Sequence, residues 1–204
     1  MIYPLAPNGI YWTIQGEGTH TGTPMAFVRL AGCSVGCTQC DTNYTRQEQQ
    51  DAIQIFNRVQ AVTPAAYRKT RPWVWITGGE PCDHDLTDLF DLLAHTHRIA
   101  LCTSGQHPHD LTDLMRRMVA PLYWISVSPH RVIPDLQGHE VKLVPGLGEL
   151  QWEDLADTGW VDHFPHKWIQ PLSGSDDLPR ALDFVHTHPG WGLSTQTHKH
   201  WKLP

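Results

Sequence analysis

The sequence predicts an α/β protein built as a partial, open TIM-like βα barrel of about six parallel strands. Three observations lead there. Short apolar runs alternate with segments of helical periodicity, the pattern of βα units on a parallel sheet. The strand count falls short of the eight that close a barrel. Motifs rich in Cys, Gly and polar residues follow the strands, at the carboxyl ends where ligands sit in parallel βα architectures. The 204 residues are read as a single domain spanning 1–204, long enough to bury about 70% of the unfolded surface.

Met25 to Leu30 is the first apolar strand and carries Arg29. An arginine in such a run is costly to bury unless paired. It is either an edge residue with its head group in solvent or a fork for a carboxylate. A loop from Gly32 to Thr42 follows. Asp51 to Thr63 reads as a helix, with Asp51 as cap, Ile53, Phe56 and Val59 at helical spacing, and Pro64 ending it. Trp73 to Thr77 is a strand, and Gly78-Gly79-Glu80-Pro81 turns out of it; two glycines there permit close approach of backbone to a ligand. Asp85 to Thr96 reads as a helix, Ile99 to Thr103 as a strand and Leu111 to Val119 as a helix. The strand Tyr123 to Val127 runs into Ser128-Pro129-His130. Glu140 to Val144 is a short strand, and Leu150 to Asp157 a helix. Lys167 to Gln170 leads as a strand into Pro171-Leu172-Ser173. Leu178 to His186 is a helix and Trp191 to Thr195 the last strand.

No apolar run approaches the ~20 residues that span a bilayer. The start lacks the basic and apolar regions of a signal peptide, so a cytoplasmic protein is expected, with no membrane partner. The net charge of −6 argues against a duplex nucleic-acid partner, whose phosphates require a basic surface. Five cysteines, odd in number and unevenly spaced, do not form a disulfide framework and suit a reducing compartment.

Three of them, Cys33, Cys37 and Cys40, fall within eight residues as C-x3-C-x2-C. Three thiolates on one loop can converge on a soft metal centre. A structural zinc ion needs four closed ligands, and no nearby pair completes the set. A four-iron cluster held by three cysteines keeps one iron open to an outside ligand.

The loop is similar to the cluster-binding loop of radical S-adenosylmethionine (SAM) enzymes. Its companions narrow the match: Gln15-Gly16-Glu17-Gly18 before it, Thr77-Gly78-Gly79-Glu80-Pro81 after it, and Gln196-Thr197-His198-Lys199 near the end. Together they resemble the 7-carboxy-7-deazaguanine synthase family across essentially the whole chain. The resemblance implies a carbon–nitrogen lyase of 7-deazapurine (queuosine-type) biosynthesis with a [4Fe-4S] cluster, SAM and Mg²⁺. Its substrate would be 6-carboxy-5,6,7,8-tetrahydropterin, converted by hydrogen-atom abstraction at C6, ring contraction and loss of ammonia. A flavodoxin or ferredoxin donor and a homodimer are implied as well. Rival readings are another radical SAM reaction, such as a glycyl-radical activase, and a non-enzymatic zinc-binding module.

Residue by residue, the resemblance gives the cluster to Cys33, Cys37 and Cys40. Ile14, Gln15, Gly16 and Glu17 line the pterin, Arg29 meets its carboxylate and Thr77 touches it. His198 and Pro204 close over it. SAM falls to Gly79, to Ser128, Pro129 and His130, and to Gln170, Pro171, Leu172 and Ser173. Thr42 is the expected Mg²⁺ contact, completed by waters and the substrate carboxylate; otherwise it caps the loop by hydrogen bonding. Two positions depart from the family pattern. Cys102 stands where a glutamate is common, replacing an acceptor by a weak one. His130 stands where a lysine is common, replacing a fixed charge by a group that titrates near neutrality. Cys82, just after the glycine turn, would block SAM if it were a fourth cluster ligand.

Overall fold

The computed structural model describes residues 1–37, 40, 42–107, 123–144 and 159–204. The helices expected at 111–119 and 150–157 lie outside the described residues. Among the described residues nine strands form one sheet, in the order β3-β1-β2-β4-β5-β6-β7-β8-β9. These are β1 (Ile2–Ile14), β2 (Pro24–Leu30), β3 (Glu48–Asp51), β4 (Trp73–Gly78), β5 (Arg98–Thr103), β6 (Tyr123–Val127), β7 (Glu140–Leu143), β8 (His166–Ile169) and β9 (Trp191–Leu193). From β2 through β9, leaving out β3, every neighbouring pair is parallel. The parallel part thus has seven strands rather than about six, and it stays open, because β1 and β3 add to its edge in antiparallel fashion.

The two antiparallel strands escape a reading by apolar runs for a physical reason. The register of β1 with β2 shifts between Leu5 and Ile10, a bulge that breaks simple alternation. Strand β3 is Glu-Gln-Gln-Asp, an edge strand with no apolar residue.

The parallel strands β2, β4, β5 and β7 are largely buried on both faces. Along β4 the period of two sends Val74 and Ile76 to one face and Trp73 and Trp75 to the other. The Val74 face joins Val28, Leu30, Ile99 and Leu101, and packs on helices α1 (Ala52–Val62) and α2 (Thr87–Leu93). Asp51 caps α1 by accepting from the Gln54 N–H at 2.8 Å, while the Gln54 side chain accepts from the Asp51 N–H at 2.9 Å. This capping box fixes where the helix starts. The buried stripe of α1 is Ala52, Ile55 and Val59, with Phe56 partly covered. Ile53, expected on that stripe, is exposed; a three-residue spacing drifts around a helix of 3.6 residues per turn. Helix α2 is shorter than the segment 85–96 expected for it. Helix α3 (Leu178–Thr187) buries Ala181 and Phe184, and a final turn of helix, α4 (Thr197–His200), continues the chain after β9.

The opposite face carries Met25, Phe27, Trp73, Trp75 and Ala100, flanked by Tyr11, Cys102 and Trp124. The hairpin between β1 and β2 folds across this face to reach the far strands. There Glu140 accepts from the Thr19 N–H at 2.9 Å, Ser194 Oγ accepts from the Gly18 N–H at 2.8 Å, and Trp168 Nε1 donates to Thr19 Oγ1 at 3.1 Å. A sheet whose edges do not meet is thereby bridged by its own first turn.

Candidate functional site

A cavity of about 400 Å³ opens at the carboxyl ends of the parallel strands. Every one of the seven contributes: Arg29 from β2, Thr77, Gly78 and Gly79 from β4, Cys102 and Thr103 from β5, Ser128 after β6, Lys142 and Val144 at β7, Gln170 and Leu172 after β8, and Gln196 and His198 after β9. Cys33, Cys37, Cys40 and Thr42 of the loop line the same space, as do Ile14, Gln15, Gly16, Glu17 and Pro204. Of the expected site residues, Pro129, Pro171 and Ser173 do not line it. Pro129 and Pro171 are buried beside the lining residues, and Ser173 donates its N–H to Gln196 Oε1 at 3.1 Å.

The cysteine loop is held by backbone and by one carboxylate. The Gly79 N–H donates to Leu30 O at 3.0 Å and the Glu80 N–H to Gly32 O at 3.1 Å. A Cβ on Gly79 would lie 1.6 Å from Gly32 O, so only glycine permits this approach. Asp83 accepts from the Ser34 N–H at 2.8 Å and from Ser34 Oγ at 2.6 Å, fixing the loop from below. Glu80 is 1% exposed and accepts from the Cys82 N–H, from Thr103 Oγ1 at 2.6 Å and from the Ser104 N–H at 2.8 Å. That carboxylate ties the turn after β4 to the end of β5.

Cys33, Cys37, Cys40 and Cys102 are free thiols. Burial, then the neighbouring Cys40 and Cys33, push the Cys37 thiol up to about 11. As thiolates the three would repel one another, and a shared cationic object would relieve that repulsion. Among the described residues no group of three His, Cys, Asp or Glu side chains closes on a single metal ion. Three soft donors around one cavity suit a larger inorganic cluster. The His130 ring lies against Cys37, with Nε2 3.5 Å from Sγ.

Arg29 is not a solvent-facing edge residue. It faces the cavity, donates to the Tyr11 hydroxyl at 2.8 Å and lies over the Tyr11 ring. Gly16 meets the end of the chain: a Cβ there would sit 2.3 Å from His198 Nδ1, and Thr197 donates to Gly16 O through both its N–H and its hydroxyl at 3.0 Å. The two segments Gln15–Gly18 and Gln196–Lys199, remote in sequence, thus form one wall.

An ion pair that sequence reasoning missed stands in that wall. Lys142 Nζ, 3% exposed, donates to Glu17 Oε2 at 2.7 Å, and Gln196 Nε2 donates to Glu17 Oε1 at 3.0 Å. Burial opposes the Glu17 carboxylate, but Lys142 more than offsets it and holds its pKa at about 2. Burial likewise opposes the Lys142 ammonium, and Glu17 overcomes it, keeping lysine protonated. The available signal was a lysine inside the short run Glu140-Val-Lys-Leu-Val144. Cys102 lies near this pair and burial raises its pKa, keeping it a neutral thiol.

No protein-family model matches the chain. Among curated proteins, the 7-carboxy-7-deazaguanine synthase of Escherichia coli K12 is 32% identical over 232 aligned positions, spanning 100% of both chains. That of Burkholderia multivorans is 32% identical over 224, covering 98% of this chain and 99% of its own. That of Bacteroides thetaiotaomicron is 30% identical over 198, covering 94% of each. The crystal structure of QueE from Escherichia coli matches 96% of this chain and 94% of its own with a TM-score of 0.66 at 28% identity. Sequence relatives along the full length and a shared open, mostly parallel sheet agree: this chain belongs to the 7-carboxy-7-deazaguanine synthase family.

Proposed function

We propose that this protein is a radical SAM lyase that converts 6-carboxy-5,6,7,8-tetrahydropterin to 7-carboxy-7-deazaguanine. The observation that carries the reading is the shared cavity. Three free thiols, an arginine fork and the two glycine-bearing segments meet in one space. Cys33, Cys37 and Cys40 would hold the cluster. When bound, the [4Fe-4S] cluster and SAM supply the one-electron chemistry that the side chains lack.

The side chains bind, orient and exclude water. Arg29, steadied by Tyr11, offers two parallel N–H groups to the substrate carboxylate. Gln15, Gly16 and His198 close on the pterin from one side, with Thr77 and Pro204 completing the enclosure. Gly79, Ser128, His130, Gln170 and Leu172 face the SAM side, and Pro129, Pro171 and Ser173 support them from behind. Thr42, which lines the cavity, would supply one oxygen to a Mg²⁺ ion, a metal that takes its remaining ligands from water and carboxylate. Glu17 and Lys142 are positioning residues: their mutual neutralisation lets two charges stand in the wall without drawing water into it. Cys102 presents a thiol to the pterin edge, so the grip there rests on backbone and on Gln15 rather than on a carboxylate. A flavodoxin or ferredoxin as electron donor, a homodimer and a cytoplasmic setting complete the proposal.

Anaerobically reconstituted enzyme given SAM, a reductant and the pterin is expected to yield 7-carboxy-7-deazaguanine and ammonia. Cys37→Ala is expected to abolish SAM cleavage, and cleavage by that variant would refute the cluster assignment. Arg29→Ala is expected to raise the KM for pterin at least tenfold, the scale of a lost charge-assisted hydrogen bond of about 1.5–3 kcal/mol, with SAM affinity unchanged; equal losses would make Arg29 structural. Lys142→Met strands a buried carboxylate and is expected to cost about 3 kcal/mol at neutral pH in denaturant unfolding. The Glu17 pKa is depressed on folding, so its contribution is complete above the ordinary value of 4.5 and is lost as pH falls towards about 2. The gap between wild type and Lys142→Met should therefore narrow over that interval; a gap independent of pH there would mean that Glu17 is not the partner that matters.

A further inference from the structure

Below the cavity, on the face of the sheet that carries Trp73 and Trp75, several neighbouring residues hold buried polar atoms without partners. Among the described residues six buried side-chain atoms lack a hydrogen-bond partner, and four of them belong to His20, Trp124, Ser126 and Glu140. These four residues are neighbours. Ser126 and Glu140 are register partners on β6 and β7, and Trp124 lies two residues before Ser126 on the same strand face. The His20 ring meets the Trp124 ring edge-on with centroids 4.7 Å apart. Thr19, next to His20, donates its N–H to Glu140 Oε2. Ser126 and Glu140 are both 0% exposed.

The unpartnered atoms are chemically complementary but do not satisfy one another. Trp124 Nε1 can only donate, a carboxylate oxygen can only accept, and a hydroxyl or an imidazole nitrogen can do either. Rotation cannot relieve Glu140, because its two oxygens are packed on the Gly18 backbone: a Cβ on Gly18 would lie 2.7 Å from each. Leaving four such atoms unpaired in a buried place would cost far more than filling it. The group that satisfies them all is small, neutral and both donor and acceptor. We propose that Trp124, Ser126, Glu140 and His20 form a binding site for an internal water molecule, which accepts from Trp124 Nε1, donates to Glu140 Oε1 and exchanges its remaining bonds with Ser126 Oγ and His20 Nε2.

The site has a consequence for the cavity above. Glu140 holds Thr19 and packs on Gly18, and the next residues back along the chain are Gln15, Gly16 and Glu17 of the cavity wall. The water therefore fixes the carboxylate that fixes the loop. Trp124, Ser126 and Glu140 are positioning residues for the pterin side, a role that rests on the function proposed above.

The first test is a crystal structure of the cluster-loaded enzyme fine enough to order internal solvent. One water is expected within about 3.2 Å of both Trp124 Nε1 and Glu140 Oε1. Side chains that pair directly there, or the absence of solvent density, would overturn the site whatever the reaction proves to be. The second test is Ser126→Ala, which removes one partner of the water and little volume. Its KM for pterin is expected to rise about fivefold, the scale of one neutral hydrogen bond, with SAM affinity unchanged. An unchanged KM, or a parallel loss for SAM, would refute the positioning role while leaving the crystallographic result to stand or fall by itself.

Discussion

The close approach of two backbones, the turn after β4 and the loop after β2, is the contact on which the site depends. Gly79 lets Gly32 come so near that no side chain fits between them, and two backbone hydrogen bonds hold the pair. Because β2 and β4 are adjacent and parallel, their carboxyl ends emerge side by side. The cysteine loop is thereby set over the sheet end instead of wandering in solvent. Glu80 extends the constraint to β5, and Asp83 extends it to Ser34. Sheet topology thus becomes thiol placement through a few short contacts.

The other half of the cavity is built by a second convergence, that of the two chain segments furthest apart in sequence. Thr197 bonds to Gly16 and Gln196 to Glu17. The wall so formed carries charge, and Lys142 neutralises it. Breaking one side of a buried pair is costly, whereas the intact pair contributes little net stability. Its value here is geometric: it lets polar side chains face the cavity without loosening the loop that bears them.

Much of this was legible in the sequence, for reasons that can be stated. Strands β4 and β5 are largely buried on both faces, so Trp73 to Thr77 and Ile99 to Thr103 read as apolar runs. Asp51 announces a helix start by its capping chemistry. The cysteine spacing points to its own chemistry. The edge strand Glu48–Asp51 has no apolar pattern to read, and the bulge in β1 breaks the alternation that would have revealed it. The Glu17–Lys142 pair spans 125 residues and can be seen only once β7 is placed against the first hairpin. The orientation of Arg29 was likewise undecidable until Tyr11, on the neighbouring antiparallel strand, was seen to hold it.

The central claim is that Cys33, Cys37 and Cys40 bind three irons of a four-iron cluster and leave the fourth for SAM. Electron paramagnetic resonance of the anaerobically reconstituted, reduced protein tests it most directly. The account predicts a [4Fe-4S]⁺ signal whose shape changes when SAM is added, because the ligand reaches iron. A signal indifferent to SAM, or a colourless protein that takes up zinc in place of iron, would contradict it.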